Sequence, residues 1–418
     1  MDFVANSSLR GRVRRTTQSQ SGGIDPALRG GLTRHHHHHQ GNIMLIATFN
    51  VENMFDRAKA LNGATWAEGK PALEAHKALN GLFEKTSYSS ADKTRMLALL
   101  KANGLLKSDE GPLMRLRKIR GQLIKRPRTG DAEIVASGRA SWIGWVELKT
   151  EPVNEAATQN TARVMATLNA DILGVMEAED RTTLRLFNEQ VLGETSVNQI
   201  LFSAYHHVML VDGNDERGID VGLLTRRDYP VVSIRSHVDD ADDQGLIFSR
   251  DCAEYQIGLL DGKRLWLLLN HFKSKGYGGQ AANNAKRKRQ AQRVREIYDT
   301  HIAEGDDWMV VMGDLNEVPG NDPLTPLLRD GSTLRDVASH PQYDNGGRPG
   351  THGNCNASDK LDYILLSPKL FDMVKAAGVE RRGMWGGSNG TLWPHFAEVT
   401  RAEEAASDHA AVWVELDI

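Results

Sequence analysis

The sequence predicts an α/β fold, a sandwich of two packed mixed β-sheets flanked by helices. Two observations carry this expectation. Short apolar runs bounded by Gly, Asn, Asp or Pro recur along the chain, and segments with amphipathic helical spacing lie between them. Some runs are apolar throughout and others alternate, as strands buried on two faces and on one face do.

Taken in order, strands are expected at Leu45–Val51, Asp171–Met176, His207–Val211, Asp220–Leu224, Arg264–Asn270, Trp308–Met312, Leu361–Leu366 and Ala410–Leu416. Helices are expected at Thr158–Leu168 and Asn283–Thr300. The chain has 418 residues, 40% hydrophobic and 25% charged, an ordinary globular composition. No stretch approaches the ~20 apolar residues that cross a bilayer, so no membrane partner is expected. Cys252 and Cys355 cannot make a disulfide framework and sit in no metal-ligand spacing. A reducing, cytoplasmic setting is the simpler expectation.

Residues 1–43 differ from the rest of the chain. They hold a Ser/Gly/Arg-rich run and the histidines His35 to His39, without periodicity. Met44 opens an apolar strand, so the expected division is a leader or purification tag at 1–43 and one domain at 44–418. A native metal-binding tract is the alternative for the histidines. The leader carries six arginines and two acids, so 44–418 sums to about −7 where the whole chain sums to −3. That balance excludes a protein held on nucleic acid by net charge alone. A polyanionic substrate must be met by local basic patches and bound metal.

One segment interrupts the alternation. Arg57–Pro152 is too long for a structureless connection, and it reads as a mostly helical insertion with its own small core, helical at Ala91–Leu106 and Leu113–Leu123. It holds the most basic run of the chain past the leader: Arg115, Arg117, Lys118, Arg120, Lys125, Arg126 and Arg128. A solvated helix face explains the run as well as a phosphate-backbone contact does.

The chemistry is carried at strand ends. Asn50 and Glu52 close the first strand, Glu177 the second, and His271 the Arg264–Asn270 run. Asp314 and Asn316 follow Trp308–Met312, and Asp408 and His409 precede the last strand. Singly, each has a plainer reading: turn former, helix start or structural histidine. Together they place oxygen and imidazole groups at five strand ends, as a site on the edge of a sandwich requires.

The blocks Thr48-Phe-Asn-Val-Glu52, Leu173-Gly-Val-Met-Glu177, Asn270-His-Phe-Lys-Ser-Lys275, Gly313-Asp-Leu-Asn316, Leu361-Asp-Tyr-Ile364 and Ser407-Asp-His409 stand in this order. The series resembles the endonuclease/exonuclease/phosphatase superfamily, which spans deoxyribonucleases, abasic-site endonucleases, sphingomyelinases and inositol polyphosphate 5-phosphatases. Glu52 departs from it where several relatives carry Asp, as does the insertion. The resemblance implies a four-layer, deoxyribonuclease I-like sandwich and phosphodiester hydrolysis assisted by Mg²⁺ or Mn²⁺, as one or two ions. It implies metal ligation by Asn50, Glu52, Glu177 and Asp408, and oxygen ligands of this kind suit a hard cation. It further implies that Asp314 activates water, Asn316 orients it, His409 meets the scissile phosphate with Asp362 fixing its tautomer, and His271 is a second histidine for the leaving oxygen or the phosphate.

Arg217, Lys273 and Lys275 are candidate phosphate contacts, the lysines in a flexible basic loop that runs to Gly276-Tyr-Gly-Gly279. Arg217 has a surface salt bridge as its alternative. The run Lys286-Arg-Lys-Arg289 is read equally as a solvated face or a backbone clamp. The expected partner is a phosphodiester substrate, nucleic acid first, with no obligate protein partner. A broad-specificity hydrolase of small phosphate mono-, di- and triesters is the alternative, since aromatics are only 6% of residues and no base-stacking module is visible.

Overall fold

Each of the eight expected apolar runs forms a strand, its ends shifted by one or two residues. The computed structural model describes residues 42–61, 66–215, 217–276 and 279–418. The histidine tract, nearly all of the expected leader, Glu216 and the Tyr277-Gly278 part of the basic loop lie outside the described residues. The first strand begins at Ile43, one residue inside the segment read as leader, and Ile43 pairs with Asp417.

One sheet runs His207–Leu210, Asp220–Thr225, Ile172–Ala178, Ile43–Asn50, Ala411–Asp417, Val374–Glu380 and Tyr343–Asp344 in spatial order. The other runs Val231–Arg235, Cys252–Gly258, Arg264–His271, Met309–Asp314, Asp362–Leu366 and Arg335–Asp336. Both are mixed. Ile43–Asn50 is parallel to Ile172–Ala178 and antiparallel to Ala411–Asp417. Arg264–His271 is parallel to Met309–Asp314, which is antiparallel to Asp362–Leu366.

The sheets face each other through Ile46, Ile172, Leu223, Tyr255, Leu267, Val310, Ile364 and Val414, all buried. Gly174 belongs to this interface: a Cβ there would stand 3.0 Å from Met312 Cε, so the missing side chain lets the sheets close. The helix Glu155–Leu168 covers the outer face of the first sheet with Ala162, Met165 and Leu168. Gln280–Ala303 covers the second with Ala291, Val294 and Tyr298. Helix, sheet, sheet and helix make the expected four layers.

A buried polar cluster holds the end of the Gln280–Ala303 helix to the second sheet. Glu254 accepts from His237 Nε2 at 2.8 Å and also pairs with His301 Nε2. The far ring nitrogens meet Asp240 and Asp306, each at 2.7 Å. Glu254 is 3% exposed, so both imidazoles hydrogen-bond a carboxylate that has little water to fall back on.

The insertion has its own core, as expected, but it is mixed rather than mostly helical. Leu73, Leu79, Phe83, Met96, Leu100, Met114, Trp142 and Val146 form a cluster of their own. Helices occupy Trp66–Phe83 and Ser90–Ala102. The segment expected as a helix at Leu113–Leu123 is instead a strand, Met114–Gly121, antiparallel to Trp142–Leu148. Met114 and Leu116 alternate with Arg115 and Arg117, a period of two that outweighs helical spacing once Leu148 and Val146 lie opposite. The insertion is rooted where Asp56–Ala58 pairs with Thr150–Pro152, four residues after Glu52. Glu179 Oε1 accepts from the backbone amides of Met54, Phe55 and Asp56 at 3.2, 2.7 and 2.9 Å and fixes that root.

Both cysteines are free and buried. Among the described residues, no helix is long and apolar enough to cross a membrane.

Candidate active site

Asp314 is the centre of the constellation. It ends the Met309–Asp314 strand, where register places it beside His271 on one side and Asp362 on the other. Gly313, at φ 137°, precedes it; a Cβ there would lie 1.9 Å from the Asn270 carbonyl oxygen. Only glycine lets the two strands run this close at the point where their chemistry begins. Asp314 Oδ2 accepts from Asn50 Nδ2 at 3.0 Å and faces His271 Nε2 at 3.4 Å and His409 Nε2 at 3.7 Å. Its Oδ1 accepts from the Asn316 amide at 3.0 Å. Burial pushes this carboxyl up, but the His409 and His271 charges and the hydrogen bonds outweigh it and hold it well below the usual carboxylate range. Asp314 is therefore ionised.

Asp362 and His409 form the second unit. His409 Nδ1 lies 2.8 Å from Asp362 Oδ2, which also accepts from Thr351 Oγ1 at 2.7 Å. Burial pulls the His409 imidazole down, yet Asp362 and Asp314 reverse this and raise it well above its usual value. With Nδ1 held by Asp362, Nε2 is the atom left to face a ligand.

Four side chains at the strand ends sit on left-handed backbone: Glu52 at φ 54°, Asn53 at 65°, Glu177 at 69° and Asn316 at 52°. Such conformations cost on the order of 1–3 kcal/mol each for a non-glycine residue and persist where the surroundings over-determine them. Here the restraints are visible. Asn316 Nδ2 donates to the Phe272 carbonyl at 2.8 Å. Glu52 Oε2 accepts from the Asp408 amide at 2.9 Å, and Asn50 Oδ1 accepts from the Glu52 amide at 3.0 Å. Glu177 follows the Ile172–Met176 ladder beside Asn50, which pairs with Met176. Its half-buried carboxylate has no hydrogen-bond partner among the described residues.

Asn50, Glu52, Glu177 and Asp408 thus come from neighbouring segments of the first sheet and present hard oxygen donors. Donors of this type, the unpartnered Glu177 carboxylate among them, suit a divalent cation of the Mg²⁺ or Mn²⁺ kind, although the Glu52, Glu177 and Asp408 carboxylates do not themselves gather within 4.8 Å of one another. Among the described residues, ligand-type atoms gather within 4.8 Å at His352–Asp408–His409, at Asp314–Asp362–His409 and, away from this site, at His301–Glu304–Asp306. The Asp314–Asp362–His409 group is already bonded internally, which suits a proton relay better than a metal cradle.

His352 escaped the sequence reading. Its Nε2 lies 3.2 Å from Asp408 Oδ2, its ring packs 4.6 Å from that of His409, and its backbone bridges to His409. Thr351 escaped it too; its hydroxyl donates to Asp362 and accepts from the Asp362 amide at 3.1 Å. The Thr351-His352 pair belongs to a loop without periodicity, so no pattern marks it.

The basic residues divide. Arg217 pairs with Asp215 at 2.9 Å, and Arg250 reaches the same carboxylate at 2.8 Å while its Nη1 donates to the Phe272 carbonyl at 2.9 Å. Arg217 is thus two ion pairs and one carbonyl removed from Asn316, in a salt bridge that is largely buried rather than on the surface. Lys273 is buried; burial first, then the charges of Lys77, Arg250, Arg217 and Lys286, bring its ammonium down to about 7. Lys275 is paired with buried Glu317 at 2.8 Å. The Lys286–Arg289 run is neither solvated face nor clamp as a unit. Arg287 is fully buried against Glu317 at 3.1 Å and donates to the Lys273 carbonyl at 3.1 Å, while Lys288 pairs with Asp322 and Arg289 with Asp242.

The profile of the Endonuclease/Exonuclease/phosphatase family matches residues 122–343, more than half of the chain. A comparison with curated proteins finds no match. Among solved structures, the chain is similar to an endonuclease/exonuclease/phosphatase family protein from Bacteroides thetaiotaomicron, at 15% identity over 90% of this chain and 95% of that one, TM-score 0.49. It is also similar to a mannosyl-6-phosphatase of the same organism, at 18% identity over 63% and 92%, TM-score 0.46. A third is truncated TDP2 from Caenorhabditis elegans, at 16% identity over 63% and 91%, TM-score 0.41. Six ordered sequence blocks, a two-sheet sandwich and the family match over residues 122–343 lead to one assignment: the chain belongs to the endonuclease/exonuclease/phosphatase family.

Proposed function

We propose that this chain is a divalent-metal-dependent phosphodiesterase acting on nucleic acid, with water as the nucleophile. The observation that carries the reading is the buried, ionised Asp314 carboxylate, held by Asn50 and Asn316 and flanked by His271 and His409. A carboxylate so held can accept a proton from one attacking water. Asn316 fixes the direction of attack through its bond to the Phe272 carbonyl. His409, protonated and fixed by Asp362, donates from Nε2 to a phosphoryl oxygen. His271 stands on the other side of Asp314 and serves the leaving oxygen. Asn50, Glu52, Glu177 and Asp408 would hold the cation. A bound Mg²⁺ or Mn²⁺ supplies phosphoryl polarisation and neutralises developing charge.

Nucleic acid is favoured by the insertion, where nine basic residues stand against four acidic ones between Glu110 and Lys149. The test is a substrate panel of plasmid, oligonucleotides, bis-p-nitrophenyl phosphate and p-nitrophenyl phosphate, with and without EDTA. Cleavage of polynucleotides that EDTA abolishes supports the reading. Turnover of the small esters alone would move the assignment to a small-molecule esterase, and rates unchanged in excess EDTA would remove the metal.

A further inference from the structure

The basic run of the insertion is arranged differently from a charged helix face, and the difference selects part of it. In the Met114–Gly121/Trp142–Leu148 ribbon, Met114, Val146 and Trp142 point into the insertion core. Side chains two apart share a face, so Ile143, Trp145 and Glu147 point the other way. Register sets Arg117 opposite Trp145 and Arg120 opposite Ile143, with the shift between them taken up at Ile119. Cross-strand partners lie on one face. The outer face therefore carries arginines interleaved with an indole and an aliphatic side chain. Ile119 is 69% exposed, Ile143 41% and Trp145 40%.

Ion pairs sort the cations further. Arg115 lies 3.6 Å from Glu110, Arg117 2.6 Å from Glu147 and Arg126 2.7 Å from Asp109. Arg126 also donates to the Leu105 and Leu106 carbonyls and is part of the fold. Arg120 enters no ion pair among the described residues, and Arg117 keeps guanidinium donors beyond the Nε that Glu147 uses. Charge favours a polyanion here, since the segment is locally basic in a chain whose sum is −3. An exposed indole across from Arg117 offers a plane on which an unpaired base, but not a paired one, can stack.

We propose that the outer face of this ribbon, Trp145 and Ile143 with Arg117 and Arg120, binds single-stranded polynucleotide. Bases stack on Trp145 and backbone phosphates meet the arginines. The ribbon hangs from the Asp56–Ala58/Thr150–Pro152 root beside Glu52, so a strand held there is tethered to the phosphodiesterase centre. The inference rests on the reading of the chain as a nuclease.

The test measures anisotropy of fluorescein-labelled oligothymidylate, oligouridylate and a blunt duplex on the full chain carrying Asp314→Asn, which prevents cleavage. Adding Trp145→Ala should weaken single-strand binding about five- to a hundredfold, the range of one lost base stack, and Trp145→Phe should restore most of it. Arg120→Ala should flatten the slope of log Kd against log salt by about 0.7. In the cleaving enzyme, Trp145→Ala should lower kcat/KM for oligonucleotides relative to bis-p-nitrophenyl phosphate. Unchanged single-strand affinity in Trp145→Ala, or tighter binding of the duplex, overturns the proposal while oligonucleotide cleavage still upholds the nuclease reading. Trp145→Ala shifting only the sedimentation of the protein overturns it in favour of a contact between copies. If the wild type cleaves bis-p-nitrophenyl phosphate and no oligonucleotide, the nuclease reading itself fails and takes this inference with it.

Discussion

Asn50 donates from Nδ2 to Asp314 Oδ2 over 3.0 Å, and this bond joins a central strand of one sheet to a central strand of the other across the open edge of the sandwich. The proposed metal side of the site and its proposed water-activating side therefore share one hydrogen bond. Asn50→Asp should replace a donor by a like charge, raise the Asp314 pKa and move the acidic limb of the rate profile upward. Asn50→Ala should lower kcat by about 10²-fold, the scale of a misplacement of about an ångström. A pH–rate profile of both variants checks this; two wild-type profiles would separate the two halves of the site.

Asp362 is expected to set the alkaline limb of the rate profile. The Asp362 and Asp314 charges raise His409 above its ordinary 6.5, so the imidazolium proposed to meet the phosphate is present at low pH and lost as pH rises through that raised value. Asp362→Asn removes the largest favourable charge, and the alkaline limb should move toward 6.5 with kcat reduced. An alkaline limb that stays in place would assign it to another group.

His352 is expected to act through Asp408. With His352 Nε2 3.2 Å from Asp408 Oδ2, His352→Ala should free that carboxylate to rotate. Loss of such a partner typically costs about 10–100-fold in metal affinity. The Mn²⁺ concentration for half-maximal rate should rise accordingly while kcat at saturating Mn²⁺ is kept, and His352→Gln should recover most of the affinity. Mn²⁺ binding followed by electron paramagnetic resonance gives the same readout without turnover. Equal affinity in all three proteins contradicts the role.

Stability should depend on pH through Glu254. Burial pushes His237 and His301 down, but hydrogen bonds to Glu254 and to Asp240 or Asp306 outweigh it and raise both above 6.5. Burial pushes Glu254 up, but the two histidines bring it from 4.5 to about 2. Raised histidines stabilise below 6.5 and lose this as pH climbs through their folded values; the depressed Glu254 stabilises above 4.5 and loses this as pH falls toward 2. The Tm should peak between these limits and fall on the alkaline side. Glu254→Gln should lower the peak and flatten that fall; an alkaline fall as steep in the variant would place its source elsewhere.

The sequence disclosed the sandwich because its strands are short apolar runs whose period does not depend on partners. Asn50, Glu177, His271 and Asp314 were legible for the same reason, each standing at or near the end of a run, and Asp408 because it stands just before the last run begins. Leu113–Leu123 was misread because its alternation becomes decisive only with Trp142–Leu148 opposite it. The helix Trp66–Phe83 was hidden by Gly69 and by Pro71 in its second turn, residues that argue locally for a break. His352 and Thr351 were hidden because a loop delivers them, and their value comes from contacts with Asp408 and Asp362 far along the chain. Charge runs misled most: Arg287 and Arg126 look like their neighbours in sequence, yet one is buried on Glu317 and the other, half-buried, donates to backbone carbonyls.

The central claim is that Asp314 accepts the proton of the attacking water, and Asp314→Asn tests it most directly. An amide at this position keeps the volume and can still meet its neighbours, but it cannot take a proton. Steady-state hydrolysis of bis-p-nitrophenyl phosphate at saturating Mn²⁺ is the measurement, with Tm as the control for folding. The account predicts a folded variant whose kcat is lower by about 10²–10⁴-fold. A folded Asp314→Asn protein that keeps more than about a tenth of the wild-type kcat would contradict it, since loss of a general base costs more than that.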